Sequence, residues 1–395
     1  MGLITALILL TAAPQVSHSA RVTVIASTAS DTMLALDPLC RDEELLRLER
    51  GDAAARLWLP VDAWNALLGD ADRDGQFDAP AGVDGLAWAP RGAGLPSLLD
   101  FWFTTDSDFQ NWKDGDVLRV GPSGAIELVI AEDALRGALG TASAFDLDAI
   151  ARDPDGRLYF SLRDGLSASV LGAIEDGDVL LYDPLGGGVS RPWTEADVQA
   201  WVDVAVPGAG AIGDVKSLAF DPETDALLFT VQSPTAHDAT VFSSDRGGSI
   251  LEGFEEPDFG FLQSTELDAL EALGTPVPQA AVIVADQPVV APGQTFTLRV
   301  RHAVPYATLY GVASNRRAPR PSTRGGFAIA APDLYAAARV WPTPGGMIAA
   351  DGSGGVIVDL KAPNLPAGVP YLELYLQLWD GAGGGLSAPC AVRVQ

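Results

Sequence analysis

Apolar positions along this chain fall in short runs of four to six residues, separated by turns rich in Gly, Asp and Pro. Such spacing predicts strands rather than long amphipathic helices. One phrase recurs: apolar, polar, any residue, apolar, Ala. It appears as "VDGLAWAP" (83–90), "LDAIARDPDG" (147–156) and "VKSLAFDPET" (215–224), 64 and then 68 residues apart. Each copy leads into a second strand-like run, "DFWFTTDS" (100–107), "RLYFSLRD" (157–164) and "ALLFTVQS" (226–233). "DGDVLRV" (114–120) and "DGDVLLY" (176–182) follow, with "GGSILEG" (247–253) as a weaker third copy.

Each unit then ends in a short amphipathic helical patch. "LWLPVDAWNALLG" (57–69) and "LVIAEDALRGALG" (128–140) align without a gap, and "PWTEADVQAWV" (192–202) and "QSTELDALEALG" (263–274) take the same place later. The first unit begins less legibly, with "RVTVIASTASDTMLALDP" (21–38). The pattern therefore predicts about four units of 60 to 70 residues, each of three or four strands and one or two helical turns. One such unit cannot bury its apolar face alone, and radial packing lets neighbours cover one another.

The expected fold class is all-β: a β-propeller of about four long blades over 21–279, followed by an antiparallel β-sandwich over 280–395. Five or six shorter blades also fit the span, and an irregular two-sheet sandwich is the competing arrangement. The phrase "ARDPDGRLYFS" resembles the first hairpin of propeller blades, with Gly156 at a turn position of positive φ. "SSDRGGSI" (243–250) resembles the Asp-box turn of sialidase-like propellers, with Ile250 where an aromatic is usual. That resemblance implies a structural role for Asp245 and no activity.

From "QTFTLRV" (294–300) onward the alternation is clean. Phe296, Leu298 and Val300 fall on one face and Thr295, Thr297 and Arg299 on the other. "YLELYLQLW" (371–379) repeats it, with four leucines inward against Tyr371, Glu373, Tyr375, Gln377 and Trp379. The stretch from "APGQTFTLRV" to "CAVRV" resembles a small all-β module at the C-terminus of many secreted bacterial proteins, which implies display or packing.

Charge sharpens this division. The formal net charge is −27, which disfavours nucleic acid and anionic membrane surfaces as partners. After residue 280 there are nine Lys or Arg against six Asp or Glu; before it, 16 against 46. The apolar run from Leu3 to Ala13, followed by small and polar residues, fits a signal peptide over 1–20 and hence a secreted or cell-envelope location. It lacks the usual Lys or Arg ahead of the run, and a buried first strand is its alternative. No other stretch suggests a membrane span. Cys40 and Cys390 are either a disulfide joining the two chain ends or two separate buried thiols. The chain is expected to be a monomer.

The densest chemistry lies in "GDADRDGQFDAP" (69–80). Numbered from Asp70, the metal-facing places of a calcium loop hold Asp70, Asp72, Asp74, the Gln76 carbonyl and Asp78, with Gly75 at the sharp turn. The stretch is similar to dockerin and EF-hand loops over about a dozen residues, and the resemblance implies bound Ca2+. Position 12 is Ala81, so a ligand is missing there. Asp84 is the nearest replacement, and its alignment with Asp148 favours a role in the turn of its own unit.

Other signals read as structure. Asp114/Asp116 and Asp176/Asp178 recur at the same place in two units, which points to turns. Asp106 and Asp108 precede Trp112 in a long connection and read as exposed loop or as the wall of a pocket. His237 and His302 are the two histidines beyond the leader, and no Cys/His cluster, nucleophile elbow, P-loop or dinucleotide fingerprint occurs. "SNRRAPRPSTR" (314–324) is an arginine-bearing loop facing solvent or an acidic partner. The favoured function is an exported, non-catalytic, calcium-stabilised propeller that binds an extracellular glycan or protein. The alternative is a hydrolase of lactonase or glycosidase type with an acidic channel site, recognisable by carboxylates from several units meeting at one mouth beside an Arg or His.

Overall fold

The computed structural model describes residues 23–34, 40–49, 54–68, 80, 82–88, 101–121, 126–153, 155–222, 224–233, 239–245, 250–254, 256–259, 261, 265–273, 281–301, 303–314, 347–352, 354–380, 387 and 390–395. Segments 1–20, 70–78 and 315–324, together with His237 and His302, lie outside these residues. The chain is mostly β, with several antiparallel sheets.

The first unit contains β1 (Thr23–Ala26), β2 (Leu45–Glu49), β3 (Arg56–Leu59) and α1 (Val61–Leu68). The second has β4 (Gly85–Trp88), β5 (Phe101–Thr104), β6 (Val117–Val120), β7 (Ile126–Ile130) and α2 (Glu132–Leu139). The third has β8 (Leu147–Arg152), β9 (Leu158–Leu162), β10 (Val179–Asp183), β11 (Gly188–Trp193) and α3 (Glu195–Ala205). The fourth has β12 (Val215–Phe220), β13 (Leu227–Val231), β14 (Val241–Ser244), β15 (Ile250–Phe254) and α4 (Glu256–Phe259). Then comes β16 (Leu270–Leu273). The second to fourth units each form a four-stranded antiparallel meander in chain order. The first sheet runs β16-β1-β2-β3, so the last strand of this region completes the first sheet.

That strand overturns one expectation. The leucines at 267, 270 and 273 of "QSTELDALEALG" have helical spacing, yet residues 270–273 pair with Thr23–Ala26 as a strand. Leu267, Ala269, Leu270, Ala272 and Leu273 are all buried. All four residues of this strand are buried, Glu271 included, so no alternation of period two marks it, and its leucines mimic a helix stripe. "LDALEA" (267–272) is a fourth copy of "LDAIAR" (147–152), and the helical counterpart in the fourth unit is α4 instead.

Neighbouring sheets share their cores. Leu45, Trp58 and Trp64 pack with Leu86, Phe101 and Phe103. Ala87, Trp102 and Ile130 pack with Ile150 and Phe160. Ala151 and Tyr159 join Leu218 and Phe229. Ala219, Leu228 and Phe254 return to Val24, Leu46 and Leu57 of the first sheet. The inner strands β4, β8, β12 and β16 lie against one another in that cyclic order. The third position of the repeated phrase is small each time: Gly85, Ala149, Ser217 and Ala269. A Cβ on Gly85 would come within 2.5 Å of Thr104 Oγ1 and 2.8 Å of Ile150 Cγ1, so the small side is sterically required.

The recurring acids do structural work. Asp116 accepts from Lys113 N and Glu132 N (3.0 and 2.8 Å), tying a turn to the start of α2. Asp178 accepts in the same way from Glu175 N and Glu195 N at α3. Glu44 repeats the device with Arg41 N and Val61 N at α1. Gly156 has φ +85° in the hairpin turn, as its sequence context predicts.

The C-terminal region has two sheets. One is β17 (Val282–Ala285), β19 (Thr295–Arg301) and β22 (Val356–Lys361); the other contains β18 (Val289–Val290), β20 (Thr308–Ser314), β21 (Met347–Ala349), β23 (Leu372–Asp380) and β24 (Cys390–Val394). Phe296, Leu298 and Val358 from the first share a core with Leu309, Leu374, Leu376 and Val392 from the second. Tyr375 and Gln377, expected on the outer face, are buried; Gln377 Nε2 donates to Ser387 O at 2.7 Å, so the chain covers that face. Helix α1 packs on β17 and β24, where Asp62 Oδ2 accepts from Ala285 N at 2.6 Å. Cys40 and Cys390 are separate buried thiols.

Candidate functional site: an acidic mouth where four inner strands begin

The inner strands enter their sheets through one repeated tripeptide: Gly82-Val83-Asp84, Asp146-Leu147-Asp148, Asp214-Val215-Lys216 and Glu266-Leu267-Asp268. The central residue of each is buried as core. Alternation along a strand then turns both flanking residues to the opposite side. The outcome is a polar cavity of about 200 Å³ lined by Asp84, Asp106, Asp148, Lys216, Glu266 and Asp268, with Arg163 at its edge.

Two cations serve this crowd unequally. Lys216 Nζ lies 3.1 Å from Asp148 Oδ1 and 3.2 Å from Asp214 Oδ2, and all three residues are buried. Arg163 Nη1 bonds Asp106 Oδ1 and lies 3.1 Å from Asp146 Oδ2, in a half-exposed position. Several buried oxygens have no hydrogen-bond partner among the described residues: Asp84 Oδ2, Asp146 Oδ1, Asp148 Oδ2 and Asp214 Oδ1. One carboxylate oxygen each from Asp84, Asp106 and Asp146 lie within 4.8 Å of one another.

The electrostatics follow. Burial, then the charges of Asp268, Asp146, Asp106 and Asp148, push the Asp84 carboxyl up to about 9. Burial raises Asp268 and Asp146 to about 7, with Lys216 and the Arg163 bond respectively working the other way. Asp214 also rises, through burial and Asp148. Burial disfavours the Lys216 ammonium, but Asp148, Asp214 and Asp268 outweigh it and hold its pKa above the ordinary lysine value. A second acidic group, Asp31, Asp42 and Glu43, adjoins the same cavity through Asp42. Chemically, the mouth can attract a cation, or keep a protonated carboxylic acid beside ionised ones.

Of the expected metal residues, Asp70, Asp72, Asp74, Gln76 and Asp78 lie outside the described residues. Asp84 is described, and its carboxylate faces the mouth with Asp106 and Asp146. Asp146, Asp148, Arg163, Asp214, Lys216 and Asp268 were not singled out from the sequence as site residues. Their signal was present in the phrase that repeats at 83, 147 and 215, whose second position is polar every time.

No protein-family model and no curated protein matches the chain. Among solved structures it is similar to WR4, a C. elegans MSP family member, at 12% identity and TM-score 0.16, covering 29% of this chain and 95% of that one. A fungal alcohol oxidase of the AA5 family in complex with copper matches at 12% identity and TM-score 0.18, covering 94% and 63%. The N-terminal domain of the Streptococcus gordonii adhesin Sgo0707 matches at 9% identity and TM-score 0.20, covering 96% and 91%. Likeness at this level carries no argument about fold or function.

Proposed function

We propose that the chain is an exported, non-catalytic, calcium-stabilised binding protein: a four-bladed β-propeller with an accessory C-terminal β-sandwich. One observation carries the binding site: Asp84, Asp148, Lys216 and Asp268, from one position of four sheets, meet in a single cavity. The blade assignment draws support from the cyclic sharing of cores and from β16 joining β1, a ring in which first and last strands share a sheet. Two sheets over one apolar core support the sandwich. The alternating aspartates of 70–78 support calcium, and the apolar run ahead of residue 20 supports export. An acidic mouth favours an extracellular ligand that presents cationic groups, or hydroxyls able to pair with carboxylates; both glycans and proteins can do so.

A second reading, the propeller hydrolase, is favoured by Asp84. A carboxyl raised to about 9 beside the Arg163-bound Asp106 is a proton donor next to a carboxylate. Binding arrays of glycans and extracellular proteins, run alongside lactone and glycoside turnover assays, separate the two. Binding that Asp268→Asn weakens tenfold or more, with no turnover of any substrate, is the expected result. Turnover that Asp84→Asn abolishes would replace this proposal with the hydrolase.

A further inference from the structure

We propose that Asp84, Asp106 and Asp146 form a divalent-cation site at the mouth, distinct from the 70–78 loop and selective for calcium. The three carboxylates come from different places in the chain: Asp84 just before β4, Asp106 just after β5, and Asp146 just before β8. Their nearest oxygens lie within 4.8 Å of one another. Two Ca–O bonds of about 2.3–2.6 Å span such a gap with little rearrangement, whereas Mg2+ demands a tighter octahedron at about 2.0–2.1 Å.

Independent of the clustering, the Asp84 side chain is 2% exposed and its Oδ2 has no hydrogen-bond partner among the described residues. A buried carboxylate oxygen left unpaired is costly, and a cation is the partner that this position lacks. Arg163 explains the aim of the other two. It takes Asp106 Oδ1 and Asp146 Oδ2, leaving Asp146 Oδ1 unpartnered. An outer donor of this kind orients metal ligands in many sites. On the opposite side Lys216 pairs with both Asp148 and Asp214, so that side has a cation of its own.

The donor set is all carboxylate oxygen, which suits a hard cation and excludes soft-metal chemistry. Three carboxylates do not fill the six to eight positions that calcium takes. Asp106 is half-exposed, so the remaining positions face the cavity, open to water or to an oxygen-bearing ligand. The cation site stands on this geometry alone and survives if the mouth proves to have no glycan or protein ligand.

Calorimetric titration of the chelator-stripped full chain with CaCl2 alone, and separately with MgCl2, tests the site. The set comprises wild type, Asp84→Asn, Asp146→Asn, the more exposed Asp106→Asn, and a loop variant carrying Asp72→Asn with Asp74→Asn. The loop variant should retain a calcium site that each of the three mouth variants weakens at least tenfold, and calcium should bind there at least tenfold tighter than magnesium. Unchanged calcium binding in Asp106→Asn and Asp84→Asn, or no site remaining in the loop variant, would overturn the proposal. Asp84→Asn removes a buried charge, and the exposed Asp106→Asn keeps the test valid should the former misfold.

Discussion

The two sides of the mouth differ by one residue at one repeated position. Where three sheets place Asp84, Asp148 and Asp268, the fourth places Lys216. Around Lys216 a buried ammonium sits about 3 Å from two buried carboxylates, although Asp148 Oδ2 and Asp214 Oδ1 stay unpartnered among the described residues. Around Asp84 the nearest cation, Arg163, reaches Asp106 and Asp146 but not Asp84, whose Oδ2 is unpartnered among the described residues. Burial differs too: Lys216, Asp148 and Asp214 are all buried, whereas Arg163 and Asp106 are half-exposed, so solvent reaches the Asp84 side. A set of sheets that repeats an acid at one position needs positive charge from somewhere. Here one sheet supplies it covalently, and the other side is left to take it from solution.

The harshest way to break this comparison is Lys216→Met. It keeps the stem's volume and leaves Asp148 and Asp214 buried without a counterion. Removing one partner of a buried pair costs about 3–5 kcal/mol, far more than an exposed pair contributes. Urea denaturation should show a loss of about 4 kcal/mol, against little change for Arg299→Met, whose guanidinium and Asp286 partner are both open to solvent. Millimolar calcium should recover part of the first loss and none of the second. Equal losses in the two variants would mean that Lys216 is not the internal cation of the mouth.

Much of this arrangement is legible in the sequence, and the part that is not has physical reasons. The three repeated phrases mark β4, β8 and β12, and "LWLPVDAWNALLG" and "LVIAEDALRGALG" mark the strand-to-helix passages at α1 and α2. Clean alternation marks β19, because one of its faces meets solvent. What fails is β16. A strand buried on both faces loses its period of two, here with Glu271 buried among apolar neighbours, and the leucines of the phrase happen to fall three apart. With that strand misread, the fourth copy of the phrase is lost, and with it Asp268 and the pairing of β16 with β1. Asp106, read as exposed loop or pocket wall, is exposed and lines the cavity; what the sequence hides is its meeting with Asp84. It lies 22 residues from Asp84, and no spacing rule joins a loop after β5 to a turn before β4.

A pH titration sharpens the comparison without any mutation. In the native state, burial holds Asp146 and Asp268 near 7 and Asp84 near 9, all above the ordinary carboxylate value. The folded chain therefore binds more protons than the unfolded chain between pH 4 and these values. The stability these groups contribute is full below about pH 4 and is lost as pH rises through 7 and then 9. Each group contributes a slope of at most about 1.4 kcal/mol per pH unit, reduced where solvent reaches it. In chelator, the free energy of unfolding should fall by about 3 kcal/mol between pH 6 and 9, and saturating calcium should flatten that fall. Burial and Asp148 raise Asp214 to about 9 as well, so it shares the window above pH 7 with Asp84, and Asp84→Asn should remove about half of the slope there. A flat profile in chelator would show that the Asp84 side already has its countercharge.

The smallest effect comes from a buried carboxylate outside the mouth, which isolates what crowding adds. Asp62, at the start of α1, is 4% exposed and accepts a 2.6 Å bond from Ala285 N, with the Cys390 thiol 3.9 Å away. Burial raises it to about 6, opposed first by that backbone donor, with Glu44 pushing it further up and Arg41 down. Its sign matches that of the mouth acids: stability is full below about pH 4 and is lost as pH rises through 6. Its window closes first, near pH 6, while theirs run on to 7 and 9. Asp62→Asn keeps an acceptor for Ala285 N while removing the charge, so calorimetric melting at pH 7.5 should gain about 1–2 kcal/mol of stability. The pH dependence between 4 and 6 should shrink, and calcium affinity should not move. A carboxylate with one good donor and no crowd around it thus settles about three units lower than Asp84, on the numbers near 6 and near 9. If Asp62→Asn changed the slope above pH 7 as much as Asp84→Asn does, that separation between a lone buried acid and a crowded one would be lost.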